Sequence, residues 1–217
     1  MDKLLRFRKD FKEIYVGGRW WPIEASFEDT NPSDNSLWAT VPDVEVKDVQ
    51  NAITSADHAF ENWSNLKFNE RSHYMIKIAE VLEENKMDIV KALRAEAGGW
   101  FGKAMFEAGY LPELFHAAAA ANYQAIGEVI PSDSGKFSMA VRRPIGVISV
   151  ISPWNFPCIL TARGMAFALA AGNTVVLKPS EETPYTGGLL WAEIFEEAGV
   201  PGGVLNVVTC SRENVAE

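Results

Sequence analysis

The composition of this 217-residue chain is that of a folded globular protein. Hydrophobic residues make up 47% of the sequence, which is enough to bury a core and argues against a disordered chain. The chain has 20 basic and 29 acidic residues, so its net charge is −9. That acidic balance argues against a general nucleic-acid binder and against a protein that binds anionic membranes.

The sequence contains no pattern typical of a secreted, metal-binding or membrane-spanning protein. Its two cysteines, Cys158 and Cys210, have neither disulfide-rich nor metal-ligand spacing. The three histidines, His58, His73 and His116, fall in separate predicted helices. No apolar run reaches the roughly 18 residues that a membrane helix needs. We therefore expect a cytoplasmic protein without a metal site, a membrane segment or a nucleic-acid partner.

The first half of the chain is predicted to contain a β-hairpin, a strand and then a series of helices. Gly17-Gly18 supplies the positive φ angles of a tight turn, so residues 14–21 are typical of a hairpin. Residues 37–41 are predicted to form a strand. Apolar residues at helical spacing predict helices over residues 44–63, from 69 onwards, and over 86–97, 102–110 and 112–125. Pro112 is placed in the first turn of the last helix, where proline is tolerated.

Strands alternate with helices in the second half. The predicted order is strand 147–151, helix 156–170, strand 174–178, helix 184–197 and strand 204–208. Such alternation is typical of a parallel sheet. Before it, two strands are predicted within residues 128–131 and 136–143. The fold class is therefore α/β, with a helical N-terminal segment and a parallel sheet that three strands leave incomplete.

Asn155 is a candidate functional residue because it follows the first parallel strand in a stiff turn. Pro153 and Pro157 flank it, and each proline fixes its own φ and restricts the residue before it. A carboxamide aimed by such a turn can donate a hydrogen bond to a developing oxyanion. Alternatively, Asn155 only caps the helix that follows, since asparagine is favoured there. The sequence leaves both interpretations open.

Lys178 and Glu181 leave the next strand at its carboxyl end, where ligands bind in open parallel sheets. Together they are suited to holding the hydroxyls of a ribose. The alternative is a solvated Lys–Glu ion pair. Gly-rich phosphate-binding loops are not found in the sequence. Cys158 is close to Asn155 and is a conceivable nucleophile. Its position at the start of an apolar helix instead favours its interpretation as a residue in the wall of the site.

These residues resemble those of the aldehyde dehydrogenase superfamily. Residues 153–157, Pro-Trp-Asn-Phe-Pro, match the family's P-W-N-F-P motif, and Asn173–Glu181 matches its G-N-x-V-V-x-K-P-S-E run. The resemblance extends over the whole chain. Residues 101–104 and 144–147 resemble the branch that acts on aromatic aldehydes such as benzaldehyde and vanillin.

The resemblance implies an NAD-dependent oxidation of an aldehyde to the carboxylic acid through a thiohemiacetal on a cysteine. Asn155 matches the family's oxyanion donor. Lys178, Ser180 and Glu181 match the region that holds the adenosine ribose, and a carboxylate there favours NAD over NADP because it repels a 2′-phosphate. Other matching positions form the wall beside the cofactor (Ile151, Ser152, Pro153 and Trp154) and the substrate tunnel (Ile159 and Arg163).

The family's nucleophilic cysteine and general-base glutamate are both expected beyond Glu217. The chain, residues 1–217, is thus expected to be the N-terminal part of the NAD-binding domain, without the catalytic domain and inactive alone. Residues 124–143 are expected to form an oligomerisation hairpin of a homodimer or homotetramer. The family's Gly-rich turn is replaced by residues 209–212, Thr-Cys-Ser-Arg. The alternative functions are a non-catalytic nucleotide-binding or interaction fragment and an aldehyde dehydrogenase that acylates coenzyme A.

Overall fold

The computed structural model describes residues 11–216, so both ends of the predicted domain, 1–217, lie outside the described residues. Its strands are β1 (Glu13–Val16), β2 (Arg19–Pro22), β3 (Ser26–Thr30), β4 (Leu37–Pro42), β5 (Gly127–Ile130), β6 (Ser138–Val141), β7 (Val147–Ile151), β8 (Thr174–Lys178) and β9 (Leu205–Val207). Its α-helices are α1 (Val46–Asn65), α2 (Phe68–Glu84), α3 (Lys86–Glu96), α4 (Phe101–Ala121), α5 (Pro157–Ala170) and α6 (Leu190–Glu197). A π-helical segment, Tyr185–Leu189, precedes α6, and Asn214–Ala216 forms a 3₁₀ turn.

The three predicted parallel strands form one side of a five-stranded sheet with the order β2-β1-β9-β8-β7. Strands β7, β8 and β9 pair in parallel, with Val150 opposite Leu177 and Leu177 opposite Val207. The predicted α/β class is confirmed. The sheet as a whole is mixed, because the N-terminal hairpin joins it through an antiparallel contact of Tyr15 with Val207.

Glycines allow the hairpin to approach the sheet closely. The backbone N–H of Gly17 donates to Asn206 Oδ1 at 2.9 Å. Gly18 has a φ of 78°, and a Cβ on it would lie 2.7 Å from the Cα of Gly202. A side chain at Gly18 is therefore excluded by both its backbone conformation and its neighbour.

Two sequence predictions in the first half need correction. Strand β3 was not predicted, because its residues, Ser-Phe-Glu-Asp-Thr, carry one large apolar side chain and gave no alternating pattern. The helices predicted over 102–110 and 112–125 are a single helix, α4, with Pro112 in its interior. Pro112 itself is buried, and so are Leu111 and Phe115 beside it, so packing on both sides of the proline offsets the lost backbone hydrogen bond.

The helices α2, α3 and α4 form a layer that packs on α5 and on the segment 185–197. The largest buried side chains of this core include Trp63, Phe115 and Trp191. Apolar burial of this kind contributes about 25 cal/mol per Å² removed from water and holds the helical layer against the sheet. The helical layer thus lies next to the strand exits that the sequence singled out.

Strands β5 and β6 stand apart from this core as a two-stranded antiparallel sheet. Their pairing confirms the two predicted strands. The apolar side chains on and beside them are exposed, including Val129 at 66% and Phe137 at 74%. Among the described residues, no helix is long and apolar enough to cross a membrane.

Candidate active site

The carboxyl ends of β7 and β8 lie side by side. Ile151, the last residue of β7, is opposite Lys178, the last residue of β8. The backbone N–H of Ser152 donates to the Lys178 carbonyl at 3.1 Å, which extends this pairing by one residue. The turn that carries Asn155 therefore begins directly beside Lys178.

The turn between β7 and α5 exposes Pro153, Trp154 and Asn155. Helix α5 begins at Pro157, and Phe156 occupies its N-cap position without a capping side chain. Asn155 therefore does not occupy the cap position. Within residues 11–216, no hydrogen bond to its side chain is found. The helix-cap interpretation of Asn155 is wrong, and its carboxamide is available to a ligand.

A buried glutamate of α4 caps α5 instead. Glu107 Oε1 accepts the backbone N–H groups of Cys158 at 2.8 Å and Ile159 at 3.2 Å. Lys103 Nζ lies 3.6 Å from Glu107 Oε2 and 4.6 Å from the centroid of the Phe156 ring. Burial raises the pKa of Glu107, while the backbone hydrogen bonds and the Lys103 charge lower it. Glu107 and Lys103, both on α4, thus fix the end of this turn to the helical layer. The sequence analysis did not identify either residue.

The exit of β8 presents half-buried side chains of both charges. Within the described residues, no ion pair joins Lys178 to Glu181, so the predicted alternative of a Lys–Glu pair is not found. Ser180 Oγ lies 3.4 Å from Glu181 Oε2 and accepts the backbone N–H of Glu182 at 3.3 Å. Burial raises the pKa of Cys210, Lys178 lowers it and Glu181 raises it, so both charges act on this thiol.

The turn after β9 is held in place by the segment that follows β4. Thr209 Oγ1 donates to the Pro42 carbonyl at 2.6 Å, and the N–H of Ser211 donates to Asp43 Oδ1 at 2.8 Å. Ser211 Oγ itself is buried without a hydrogen-bond partner among the described residues. Buried hydroxyls are normally hydrogen-bonded, so Ser211 Oγ is an exception. The turn contains no glycine, and its two hydrogen bonds to Pro42 and Asp43 hold it in place.

The candidate tunnel residues lie on one face of α5, four positions apart. Ile159 is buried, whereas Arg163 is exposed and places its guanidinium carbon 5.9 Å from the ring centroid of Tyr110. Cys158 is fully buried and its thiol donates to the Thr186 carbonyl at 3.2 Å. Burial raises the pKa of Cys158 well above its ordinary value, so this thiol remains protonated. The interpretation of Cys158 as a wall residue fits this environment, and that of a nucleophile does not.

A second buried glutamate caps the segment that covers both strand exits. Glu96 Oε1 accepts the N–H of Tyr185 at 2.6 Å, and Glu96 Oε2 accepts the N–H of Thr186 at 2.8 Å and also its hydroxyl. Further along this segment, a Cβ on Gly187 would lie 3.4 Å from Ser152 Oγ, so the segment packs directly on the β7 exit. Ser152 is buried there as a wall residue.

The carboxyl group of Asp29, from β3, lies next to Glu96. Burial, together with the charge of Glu96, raises the pKa of Asp29 to about 9. Burial also raises the pKa of Glu96 to about 7, although its hydrogen bonds from Thr186 and Tyr185 oppose that shift. At neutral pH, Asp29 is therefore protonated and can donate to Glu96, whose own carboxyl group is near the midpoint of its titration. The proton on Asp29 keeps the two buried acids from carrying like charges.

The fold and the arrangement of the strand exits point to one protein family. The sequence model of the aldehyde dehydrogenase family matches residues 20–217. The chain belongs to the aldehyde dehydrogenase family. The family resemblance predicted from the P-W-N-F-P motif is confirmed, and so is the predicted similarity to enzymes of aromatic aldehydes.

Several relatives are similar over nearly the whole of this chain. Mitochondrial succinate-semialdehyde dehydrogenase of Rattus norvegicus is 36% identical over 206 residues, which cover 94% of this chain and 39% of that protein. Vanillin dehydrogenase of Corynebacterium glutamicum is 37% identical over 213 residues, covering 96% and 44%. The crystal structure of an NAD-dependent benzaldehyde dehydrogenase from C. glutamicum superposes with a TM-score of 0.91 at 35% identity, covering 99% and 46%. The chain thus spans less than half the length of these relatives.

Replacing Asp29 with asparagine is expected to flatten the pH dependence of stability. The folded chain keeps the Asp29 proton up to about pH 9, whereas an unfolded chain loses it near its ordinary value of 3.8. The raised pKa therefore contributes stability that is complete below about pH 4 and is lost as pH rises towards 9, by at most about 1.4 kcal/mol per pH unit. The substituted carboxamide retains a donor for Glu96 but does not titrate.

Urea unfolding from pH 5 to pH 9 measures this difference. The wild-type chain should lose stability more steeply than the Asp29→Asn variant. Glu28→Gln, an exposed position on the same strand, is the matched control and should keep the wild-type slope. Equal slopes for wild type and Asp29→Asn would show that Asp29 is ionised in the folded chain at neutral pH.

Proposed function

We propose that this chain is the N-terminal part of the NAD-binding domain of an enzyme that oxidises an aldehyde to the carboxylic acid with NAD. The observation that carries the proposal is the free carboxamide of Asn155 in the turn after β7, a turn that begins beside Lys178 at the exit of β8. A neutral donor and a cation at the carboxyl ends of neighbouring parallel strands suit a polarised carbonyl and a dinucleotide.

NAD, when bound, accepts the hydride from the reacting carbon. We assign Lys178, Ser180 and Glu181 to the adenosine ribose, and two observations support this. Lys178 has no ion pair within the described residues, and Glu181 contacts Ser180 rather than Lys178. The carboxylate of Glu181 favours free ribose hydroxyls over a 2′-phosphate, and hence NAD over NADP. The exposed side chains of Ile151, Pro153 and Trp154 are suited to form the wall beside the cofactor, and Ser152, which lies between them in the sequence, is buried.

Asn155 is assigned to the aldehyde oxygen. We place the attacking cysteine thiolate and the glutamate that activates water in residues outside this chain, because Cys158 is a buried, protonated wall residue. As the sulfur–carbon bond forms, the carbonyl electron pair moves onto oxygen, and the Asn155 N–H stabilises that negative charge. Loss of hydride from the carbon to the bound cofactor would then leave a thioester on the cysteine, and water would hydrolyse it to the carboxylic acid and restore the thiolate. The chain alone is accordingly proposed to be inactive.

We propose an aromatic aldehyde as the substrate. The support comes from the relatives that act on vanillin and benzaldehyde, and from the environment of the tunnel residues. Ile159 supplies an apolar wall, and Arg163 lies over the Tyr110 ring on the same face of α5. A guanidinium stacked on a tyrosine offers a second aromatic ring a cation–π partner. Aliphatic semialdehydes, the substrates of another relative, are the comparison that tests this choice.

The β5–β6 hairpin is proposed to join subunits of a homodimer or homotetramer. The hairpin is separate from the five-stranded sheet, and its apolar side chains Val129, Phe137 and Met139 are exposed, so a second chain can cover them. Both cysteines are free and buried, which supports a reducing, cytoplasmic location.

Replacing Asn155 with alanine should lower turnover of the complete enzyme, which includes the nucleophile, by about 10²–10³-fold. The loss should fall on kcat, because the hydrogen bond strengthens only as charge develops on oxygen. Steady-state NADH formation measures it with benzaldehyde and with succinate semialdehyde, and benzaldehyde should give the higher kcat/KM. Asn51→Ala, at an exposed position of α1, is the control and should leave both values unchanged. Unchanged turnover in Asn155→Ala would exclude the oxyanion role.

Lys178→Ala should weaken NAD binding by this chain about 10- to 100-fold, the range expected for a hydrogen bond from a charged group. Isothermal titration calorimetry measures the Kd without any need for turnover. Glu181→Gln should raise the affinity for NADP relative to NAD, because it removes the repulsion of the 2′-phosphate. Lys136→Ala, in the exposed loop between β5 and β6, should have no effect. No heat of binding at millimolar NAD would contradict a half-site that works in isolation.

Val129→Glu should dissociate the complete enzyme, because the charge would be buried where subunits meet. Light scattering should show the mass falling from a dimer or tetramer towards one chain. Ile53→Glu places the same charge on α1, where isoleucine is also exposed, and should leave the mass unchanged. A variant at Val129 that retains the wild-type mass would exclude this hairpin as the subunit contact.

A further inference from the structure

We propose that Glu107 is the positioning residue for Asn155. Its carboxylate occupies the capping site of α5 and thereby keeps the Asn155 carboxamide directed towards the substrate. The inference rests on the proposed oxyanion role of Asn155. Neither a local sequence motif nor contact with the reacting atoms marks Glu107, which acts from a different helix.

The backbone N–H groups of the first turn of α5 can be accounted for completely. Pro157, the first helical residue, has no N–H. Those of Cys158 and Ile159 both go to Glu107 Oε1, and that of Leu160 goes to the Phe156 carbonyl at 2.9 Å. Helix starts normally leave such groups for a local side chain. In α5, Glu107 accepts the hydrogen bonds of these groups instead.

Glu107 can hold this position because its buried charge is compensated on two sides. The positive end of the α5 dipole faces Oε1, and Lys103 Nζ lies 3.6 Å from Oε2. Cys158, whose protonated thiol is the other titratable group in this contact, adds no charge. Burial raises the pKa of Glu107, and these neighbours lower it. Lys103 also covers the Phe156 ring, so one ion pair fixes both the cap and the residue that follows Asn155.

Loss of Glu107 would create a competitor for the Asn155 side chain. Asparagine is among the best capping residues, and Asn155 immediately precedes the N-cap residue Phe156. The N–H groups of Cys158 and Ile159 would then lack an acceptor. The carbonyl oxygen of the Asn155 side chain could turn towards the helix and accept hydrogen bonds from them, which would stabilise that orientation. The chain would stay folded while Asn155 leaves the strand exit. This competition makes Glu107 a determinant of where Asn155 points.

Nuclear magnetic resonance of the ¹⁵N-labelled chain tests the inference through Glu107→Ala, Glu107→Gln and the control Glu113→Ala, an exposed position on the same helix. In Glu107→Ala, the side-chain amide signals of Asn155 should shift, because its carboxamide takes over the two N–H groups. Amide hydrogen exchange at Cys158 and Ile159 should accelerate by the full effect of a charge-assisted hydrogen bond, about 10- to 100-fold, only in the double variant Glu107→Ala/Asn155→Ala. Glu113→Ala should show neither change.

Glu107→Gln keeps an acceptor for both N–H groups but cannot ionise. It should therefore restore the exchange protection and the Asn155 signals. In the wild-type chain, those signals should move as pH falls through the titration of Glu107, and in Glu107→Gln they should stay constant. Asn155 signals that do not move in Glu107→Ala would overturn the inference. So would unchanged protection of Cys158 and Ile159 in the double variant, because neither proposed acceptor would then matter to them. If Glu107→Ala does not fold, the comparison of wild type with Glu107→Gln decides between the same two outcomes.

These readouts need no turnover, which separates the inference from the proposed function. If the Asn155 signals follow Glu107 but Asn155→Ala leaves the turnover of the complete enzyme unchanged, the positioning contact stands and the oxyanion role fails. If Asn155→Ala abolishes turnover while its signals ignore Glu107, the oxyanion role stands and the positioning role fails.

Discussion

The hydrogen bonds from the start of α5 to the buried carboxylate of Glu107 are the interaction on which this site depends. Helix α5 begins with Phe156 and Pro157, neither of which can cap it. The π-helical segment 185–189 is capped in the same way, by Glu96 of α3. Both segments that follow a parallel strand therefore take their caps from the helical layer. Sheet and helices consequently stabilise one another, and neither layer completes the strand exits alone.

The two buried carboxylates are compensated by different means. Glu107 has an ammonium partner, since Lys103 lies beside it. Glu96 has instead a protonated acid, Asp29, so that the pair carries at most one negative charge at neutral pH. An isolated buried carboxylate would be strongly destabilising. Glu96 thus makes the wall of the site sensitive to the protonation of Asp29, whereas the cap by Glu107 is supported by the charge of Lys103.

Local pattern predicted the alternation of strands and helices in the second half, the polar residues at the strand exits and the family. It did not predict contacts between distant residues. Glu107 lies 51 positions from Cys158, and Glu96 lies 89 from Tyr185, so no motif joins them. The antiparallel contact of Tyr15 with Val207 was missed for the same reason. The division of α4 into two helices at Pro112 was wrong for another reason. Proline is favoured at a helix start, but the packing of Leu111 and Phe115 overrides that preference.

The role of Asn155 shows how occupancy decides between interpretations that sequence leaves equal. An asparagine before a helix is a good cap and a good oxyanion donor, and the residues around it favour neither. The N–H groups that a capping side chain would bind already donate to Glu107. The carboxamide of Asn155 makes no hydrogen bond within the described residues. Lys178 follows the same reasoning, since it makes no ion pair with Glu181 there. Both side chains are thus polar groups without an internal partner at two neighbouring strand exits, which is why we assign the cofactor and the aldehyde to them.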